Sequence, residues 1–370
     1  MHKLQHLSNM NQSKIIDNVG LTFDDVLLVP NYTEVKREAI DVSAHLTSRT
    51  KLSIPLISSP MDTVTTSSMA IALGKLGGLG VIHRNLTIEH QVEQVTQTLK
   101  EVSLVGAAVG IGKDLEERVE NLVQAGVRVI VIDSAHGYSK WVIEATKFIT
   151  SKYKEIDLIA GSVGTTVASK ALIEAGASAL RVGMGPGSIC TTRIIAGVGI
   201  PQVTAILEAV KISQKYAVPI IADGGLRNSG DIVKALAAGA DTVMSGSLFA
   251  GCFETPGELV EVKGKKYKKY RGMGSIASMK AGSAARYGQE YRIGQEKKLI
   301  AEGVEGLVNY KGKLADVVTQ LVGGIKAGMY YTGVKNISEL KEKTSMIRIT
   351  PASTSESHPH DIIINANNSE

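Results

Sequence analysis

Eight short apolar runs, each followed by an amphipathic stretch, recur between residues 54 and 249 of this 370-residue chain. They lie at 54–60, 78–83, 104–110, 127–137, 157–163, 179–185, 218–225 and 241–249. Runs this rich in Val, Ile, Leu and Ala read as parallel strands buried on both faces. The stretches between them, such as DLEERVENLVQAG and DIVKALAAGA, read as helices, and several end in Ala-Gly, with the Gly as C-terminal cap. Eight strand–helix units make an α/β chain with the count of a (β/α)8 TIM barrel; a doubly wound open sheet is the competing architecture. The eighth run is followed by a long Gly- and Lys-rich insertion, about 252–312. Loops of that length are uncommon unless functional or disordered, and this one reads as a mobile flap over the barrel mouth. Residues 1–20 form an N-terminal arm, 21–352 a single barrel domain, and 353–370 a polar tail whose composition suggests disorder.

Composition narrows the function classes. With 44% hydrophobic and 21% charged residues, the chain can bury a large core. Two cysteines cannot build a disulfide framework, which points to the cytoplasm. The N-terminus lacks the apolar run of a signal peptide, and no stretch is apolar for long enough to span a membrane. The formal charge of +5 becomes −1 once Lys263, Lys265, Lys266, Lys268, Lys269 and Arg271 are set aside. A nucleic-acid face spreads over a fold, whereas this is one local cluster that reads as solvated flap, so nucleic acid is not an expected partner.

Barrel active sites are built from the loops at the C-terminal ends of the strands. Those are the places where this sequence puts SSPMD, HRN, DSAHG, GPGSICTTR, ADGG and SGS. The glycines of GMGPGS lack the spacing and early position of a dinucleotide fingerprint, but they let backbone carbonyls and amides converge on a small ion. A lone cysteine is ordinarily a small core residue, and that reading suits Cys252. Cys190, flanked by Ser and Thr in the loop after the sixth strand, reads instead as a reactive thiolate. Gly amides and Ser hydroxyls after strands seven and eight suit a phosphate, and Asp223 suits two vicinal hydroxyls or, alternatively, a helix cap. Nucleophile, sugar-binding carboxylate and phosphate pocket together imply a nucleoside monophosphate.

LTFDDVLLVP, SSPMDTVT, GPGSICTTRIIAGVG, ADGGLRNSGDIVKAL, YRGMGS, RYGQ and SESHPHD together resemble the inosine-5′-monophosphate dehydrogenase family, from about Leu21 to Asp361. The resemblance implies oxidation of IMP to XMP with NAD, the committed step of guanine nucleotide synthesis. Cys190 is then the nucleophile, Arg286 and Tyr287 in the flap the water-activating pair, and Thr192 their partner. It implies nucleotide contacts from Ser59, Met61, Ser188, Asp223, Gly224, Gly225, Gly246, Ser247, Tyr270 and Gly272. Met273, Gly274 and Glu302 match residues at the purine edge. Asp133, Ser134, Ala135, His136, Gly183 and Gly185 match the dinucleotide side, although His136 alone is as readily a structural histidine. Gly185, Gly187 and Cys190 match carbonyl ligands of K+, completed by Glu356, Ser357 and His358 from an adjacent subunit, which implies a homotetramer and an ordered tail.

The sequence departs from the family pattern in four places. The regulatory CBS modules, expected near 98–104, are absent. Ser162 stands where Asn is usual, Asn228 where an aromatic is usual, and Gly288 where Phe is usual. These raise two alternatives, a GMP reductase running on NADPH and a catalytically silent nucleotide-binding paralogue.

Overall fold

A computed structural model describes residues 15, 16, 18–359 and 361. The remainder of the N-terminal arm and the end of the tail lie outside the described residues. The eight runs form a closed parallel barrel in sequence order. Its strands are Leu56–Ser58, Leu79–Ile82, Gly106–Val109, Val129–Ile132, Asp157–Val163, Ala179–Val182, Ile220–Asp223 and Thr242–Ser245. The eighth pairs with the first, Val243 opposite Leu56 and Ser245 opposite Ser58, which closes the ring. All but the fifth strand, Asp157–Val163, are shorter than their runs, several because the run continues into the functional loop. In 127–137, for example, the strand ends at Ile132 and DSAHG turns out over the mouth.

Alternation along the strands separates two cores. Ile57, Leu79, Val81, Val129, Val131, Ile159, Ile221 and Met244 fill the barrel interior. Leu56, Ile82, Ile130, Ile132, Leu158 and Leu180 face outward against the helices. Each fully buried aliphatic side chain contributes about 1.5–3 kcal/mol. The outer helices have locally encoded starts. Thr87, Ser139 and Thr165 each accept a hydrogen bond from a first-turn N–H of the helix they precede, the usual service of a hydroxyl cap. A short hairpin, Ala44–His45 with Lys51–Leu52, plugs the bottom, adding Leu46 and Leu52 to the interior. Beneath it the buried Asp157 carboxylate accepts from Thr47 (2.7 Å), Thr50 (2.6 Å) and Arg49 (2.8 Å).

The insertion is more structured than a flexible loop reading suggests. Val260–Val262, Lys265–Arg271 and Glu305–Asn309 form an antiparallel sheet in that order. Between its second and third strands, short helical turns run from Ile276 to Tyr287 and over Glu296–Lys298. The reading of the basic run as solvated needs correction at Lys268, which is 4% exposed. Its ammonium donates to the carbonyls of Phe253 (3.3 Å), Thr255 (2.8 Å) and Gly257 (2.8 Å), so the charge is satisfied by backbone oxygens. The barrel resumes with the helix Leu314–Tyr331. The tail begins with a short helix, Pro351–Glu356. Among the described residues, no helix is long and apolar enough to cross a membrane.

Candidate active site

A pocket opens at the C-terminal end of the barrel, walled by strand-end loops and by the insertion, a concave site of the kind small molecules occupy. The cysteine loop forms its middle. Gly185 has φ +79, and a Cβ there would come within 2.7 Å of the Arg193 side chain, so this turn requires glycine. The Cys190 N–H donates to the Gly187 carbonyl (3.0 Å), curling the loop. Thr191 N–H to Glu302 carbonyl (2.9 Å) and Val304 N–H to Ile189 carbonyl (3.0 Å) then zip it to the returning end of the insertion. Cys190 Sγ lies 3.3 Å from Thr192 Oγ1, which in turn lies 2.8 Å from Glu302 Oε2. Thiol, hydroxyl and carboxylate thus form a continuous chain along which a proton can move. Cys252, by contrast, is fully buried, and its burial pushes the thiol up to about 12.

Ser59, Met61, Ser188, Asp223, Gly224, Gly225, Gly246 and Ser247 all line the pocket from strand-end loops, and Tyr270, Gly272, Met273, Gly274 and Glu302 line it from the insertion. Asp223 does not cap the following helix; Asn228 does, its Oδ1 accepting from Asp231 N–H at 3.0 Å. The departure at 228 therefore supplies a better N-cap than an aromatic. Ser162 also lines the pocket.

Of the dinucleotide-side residues, Asp133, Ala135, Gly183 and Gly185 line the same pocket. Ser134 is buried beside it, its hydroxyl exchanging hydrogen bonds with the backbone of His136 and its carbonyl accepting from Arg181 at 2.9 Å. His136 points outward, exposed and away from the pocket lining. Gly185, Gly187 and Cys190 lie together in the loop, whereas Glu356, Ser357 and His358 are exposed on the tail of the same chain and are not brought to it.

Arg181 was not expected. It sits mid-strand in an otherwise apolar run, and its side chain is 1% exposed. Its guanidinium reaches Asp133 Oδ1 (3.2 Å) and stands 3.7 Å from Asp223 Oδ2. A charged residue inside a doubly buried strand is the sequence signal that could have revealed it. Arg84 Nε lies 3.6 Å from Asp133 Oδ2, and Arg286 of the insertion ion-pairs with Asp133 Oδ1. Three guanidinium groups thus surround Asp133, while Asp223 and Glu302 line the same pocket and bring its ionised groups close to balance. Burial raises the Asp223 pKa against the opposing charge of Arg181. Burial lowers the Arg286 pKa, with Tyr287 opposing the shift and Arg84 adding to it. Burial likewise raises Tyr287.

Residues 20–360 match the profile of the IMP dehydrogenase / GMP reductase domain. Three similar proteins, each named inosine-5′-monophosphate dehydrogenase, place the chain further. That of Cryptosporidium parvum is 46% identical over 388 residues, covering 93% of this chain and 96% of its own. That of Borreliella burgdorferi is 45% identical over 397 residues, covering 94% and 98%. That of Aquifex aeolicus is 42% identical over 474 residues, covering 93% and 96%. The last alignment is at least 104 positions longer than the 370 residues here, so relatives both with and without a large extra segment are similar to this chain.

Proposed function

The chain belongs to the IMP dehydrogenase / GMP reductase family, and from that premise we propose that it oxidises IMP to XMP through a covalent adduct on Cys190. The observation that carries this reading is the convergence of Cys190, the Thr192–Glu302 pair, Asp223 and Arg286 on one pocket.

The phosphate is held by Ser188, Gly225, Gly246 and Ser247 and the ribose hydroxyls by Asp223, while Met61, Tyr270 and Met273 contact the purine. Cys190 Sγ bonds to C2 of the purine. NAD+, when bound against Asp133 and Ala135, supplies the acceptor for the hydride that leaves C2. This division of one hard substitution into two easier steps is the general gain of covalent catalysis.

Water then attacks C2, the C2–Sγ bond breaks, and the thiolate is restored. Arg286 takes the proton from that water, Tyr287 beside it. An arginine is a poor base in water, where its pKa exceeds about 12; burial and the nearby Arg84 lower it here, the direction that a base requires. The Thr192–Glu302 pair supplies a second route for the proton. Arg286 already pairs with Asp133, and its carbonyl accepts the Ala135 N–H at 3.3 Å. The dinucleotide and the flap arm bearing Arg286 therefore use one space in turn, so the flap opens for hydride transfer and closes for hydrolysis.

The backbone carbonyls of Gly185, Gly187 and Cys190 are the donors for K+. Backbone oxygen donors suit a hard cation, whereas a soft metal prefers thiolate or imidazole. Glu356, Ser357 and His358 complete this site in a neighbouring copy, making the protein a homotetramer. The barrel domain is catalytic by itself, without CBS modules.

The test is NADH absorbance after mixing protein, IMP and NAD+, with and without K+. NADH formation stimulated by K+ is expected. Silence with IMP, together with consumption of NADPH on GMP, overturns the dehydrogenase reading in favour of the reductase.

A further inference from the structure

The inner arm of the insertion is pinned at two points, one within the insertion and one on the barrel. Lys268 is the first, holding the 253–257 turn by three carbonyls. Three residues on, Arg271 forms a bidentate pair with Asp62, Nε to Oδ1 at 3.0 Å and Nη2 to Oδ2 at 2.8 Å. The Arg271 N–H also donates to Thr63 Oγ1 at 3.2 Å. Asp62 lies in the loop after the first barrel strand, its side chain 6% exposed. It accepts as well from Asn85 Nδ2 (3.0 Å), after the second strand, and from Ser278 Oγ (3.3 Å), at the far end of the arm. Two barrel loops and two points of the insertion thus meet on one buried carboxylate.

Burial opposes its charge, but the hydrogen bonds from Arg271 and Asn85 hold the carboxyl below its ordinary value. Neighbouring His83 stays neutral, pushed down to about 4 by burial, with Asp62 opposing and Arg271 adding. Arg271 is therefore the cation to which Asp62 is committed.

Pocket residues flank this pair in the sequence. Met61 precedes Asp62; Tyr270 precedes Arg271, and Met273 and Gly274 follow it. The Tyr270 hydroxyl stands 3.8 Å from Met61 Sδ, so the two flanks touch across the pair. Beyond Ser278 the chain bends at Gly282, whose φ of +123 breaks the helical path, and the outer arm carrying Arg286 begins.

We propose that Asp62 is a positioning residue for the nucleotide: through Arg271 it holds Tyr270, Met273 and Gly274 against the purine whether or not Arg286 is docked on Asp133. The insertion then has a pinned inner arm that serves substrate binding and a swinging outer arm that serves hydrolysis. This rests on the reading that the pocket binds IMP.

The test is a cycle of Asp62→Ala, Arg271→Ala and the double variant, with Asp62→Asn as a milder change that preserves shape. IMP affinity by titration calorimetry, the KM values for IMP and NAD+, kcat and the melting temperature are measured for each. Each single alanine variant is expected to weaken IMP, in both Kd and KM, by about tenfold, with kcat and the NAD+ KM within about twofold. The double variant is expected to be no worse than the weaker single, the signature of one coupled unit, and Asp62→Asn to fall between. Loss of kcat at unchanged IMP affinity, or losses that multiply in the double variant, overturns the proposal. A wild type that neither binds IMP nor forms NADH overturns the functional reading beneath it, a result separable from both.

Discussion

Two kinds of backbone wall the pocket. On the barrel side, Ser59, Asp133, Asp223 and Ser247 stand at or just beyond the ends of strands whose residues are almost all buried. Their positions follow from the closed ring, and Arg181, itself in a strand, ties Asp133 to Asp223 from within. On the insertion side, Tyr270, Met273, Arg286 and Tyr287 come from chain that crosses the mouth after the ring is complete. Barrel-side residues are thus part of the folding unit; on the insertion side Tyr270 packs into the same core and its neighbour Arg271 is paired with Asp62, whereas Arg286 and Tyr287 lie beyond the bend at Gly282. On the proposed reading only the outer arm, with Arg286 and Tyr287, leaves the pocket.

Substitutions can break or sharpen this contrast. Cys190→Ala is expected to have the largest effect, abolishing turnover while leaving IMP binding intact; undiminished NADH formation by that variant would sink the mechanism. Arg286→Ala is expected to keep the first-turnover burst of NADH and slow the steady state by about 10²–10⁴-fold, the usual worth of a positioned base, with no change in melting temperature. Stopped-flow absorbance separates the two phases, and loss of the burst would show that the role is misassigned. The same base predicts a pH dependence. A lowered Arg286 pKa raises the neutral fraction at any given pH, and that fraction grows as pH rises, so hydrolysis-limited turnover should climb with pH in the wild type and flatten in Arg286→Ala. A flat wild-type profile would remove Arg286 as the base.

Arg181→Met tests the other wall. It leaves Asp223 without its buried guanidinium and deprives Asp133 of one, so it should cost about 3–5 kcal/mol of stability in denaturant melts. An unchanged melt would mean that the barrel side is no more integral than the flap. Gly288→Ala is expected to be smallest. Gly288 has φ +66 and open space around the position of a Cβ, so the strain is purely backbone, about 1–2 kcal/mol. Borne by the closed outer arm, it should slow hydrolysis severalfold and spare the burst; equal slowing of both phases would place the strain elsewhere. Gly288 occupies a left-handed turn, which accounts for a glycine at this position.

The eight apolar runs determined the eight strand–helix units, because a strand buried on both faces must be continuously apolar and the helix after it amphipathic, and both patterns are local; closure into a ring rather than an open sheet is decided by the pairing of the eighth strand with the first. The strand-end loops followed from the same count, which is why Cys190, Asp223 and the glycines around them were legible before any coordinates. The sheet of the insertion was not legible: Lys265–Arg271 pairs with Glu305–Asn309, more than thirty residues on, and no periodicity in a run of lysines announces such a partner. Lys268 read as solvated because its burial depends on three carbonyls gathered by another turn. Arg181 was hidden in a strand, and the Asp62–Arg271 pair spans more than two hundred residues. Local patterning sets which segments are strands and helices, since it needs only neighbours along the chain. Which charges are desolvated, and against what, is decided only when distant segments close over them, because the cost of burying a charge is met by partners that tertiary structure alone brings within reach.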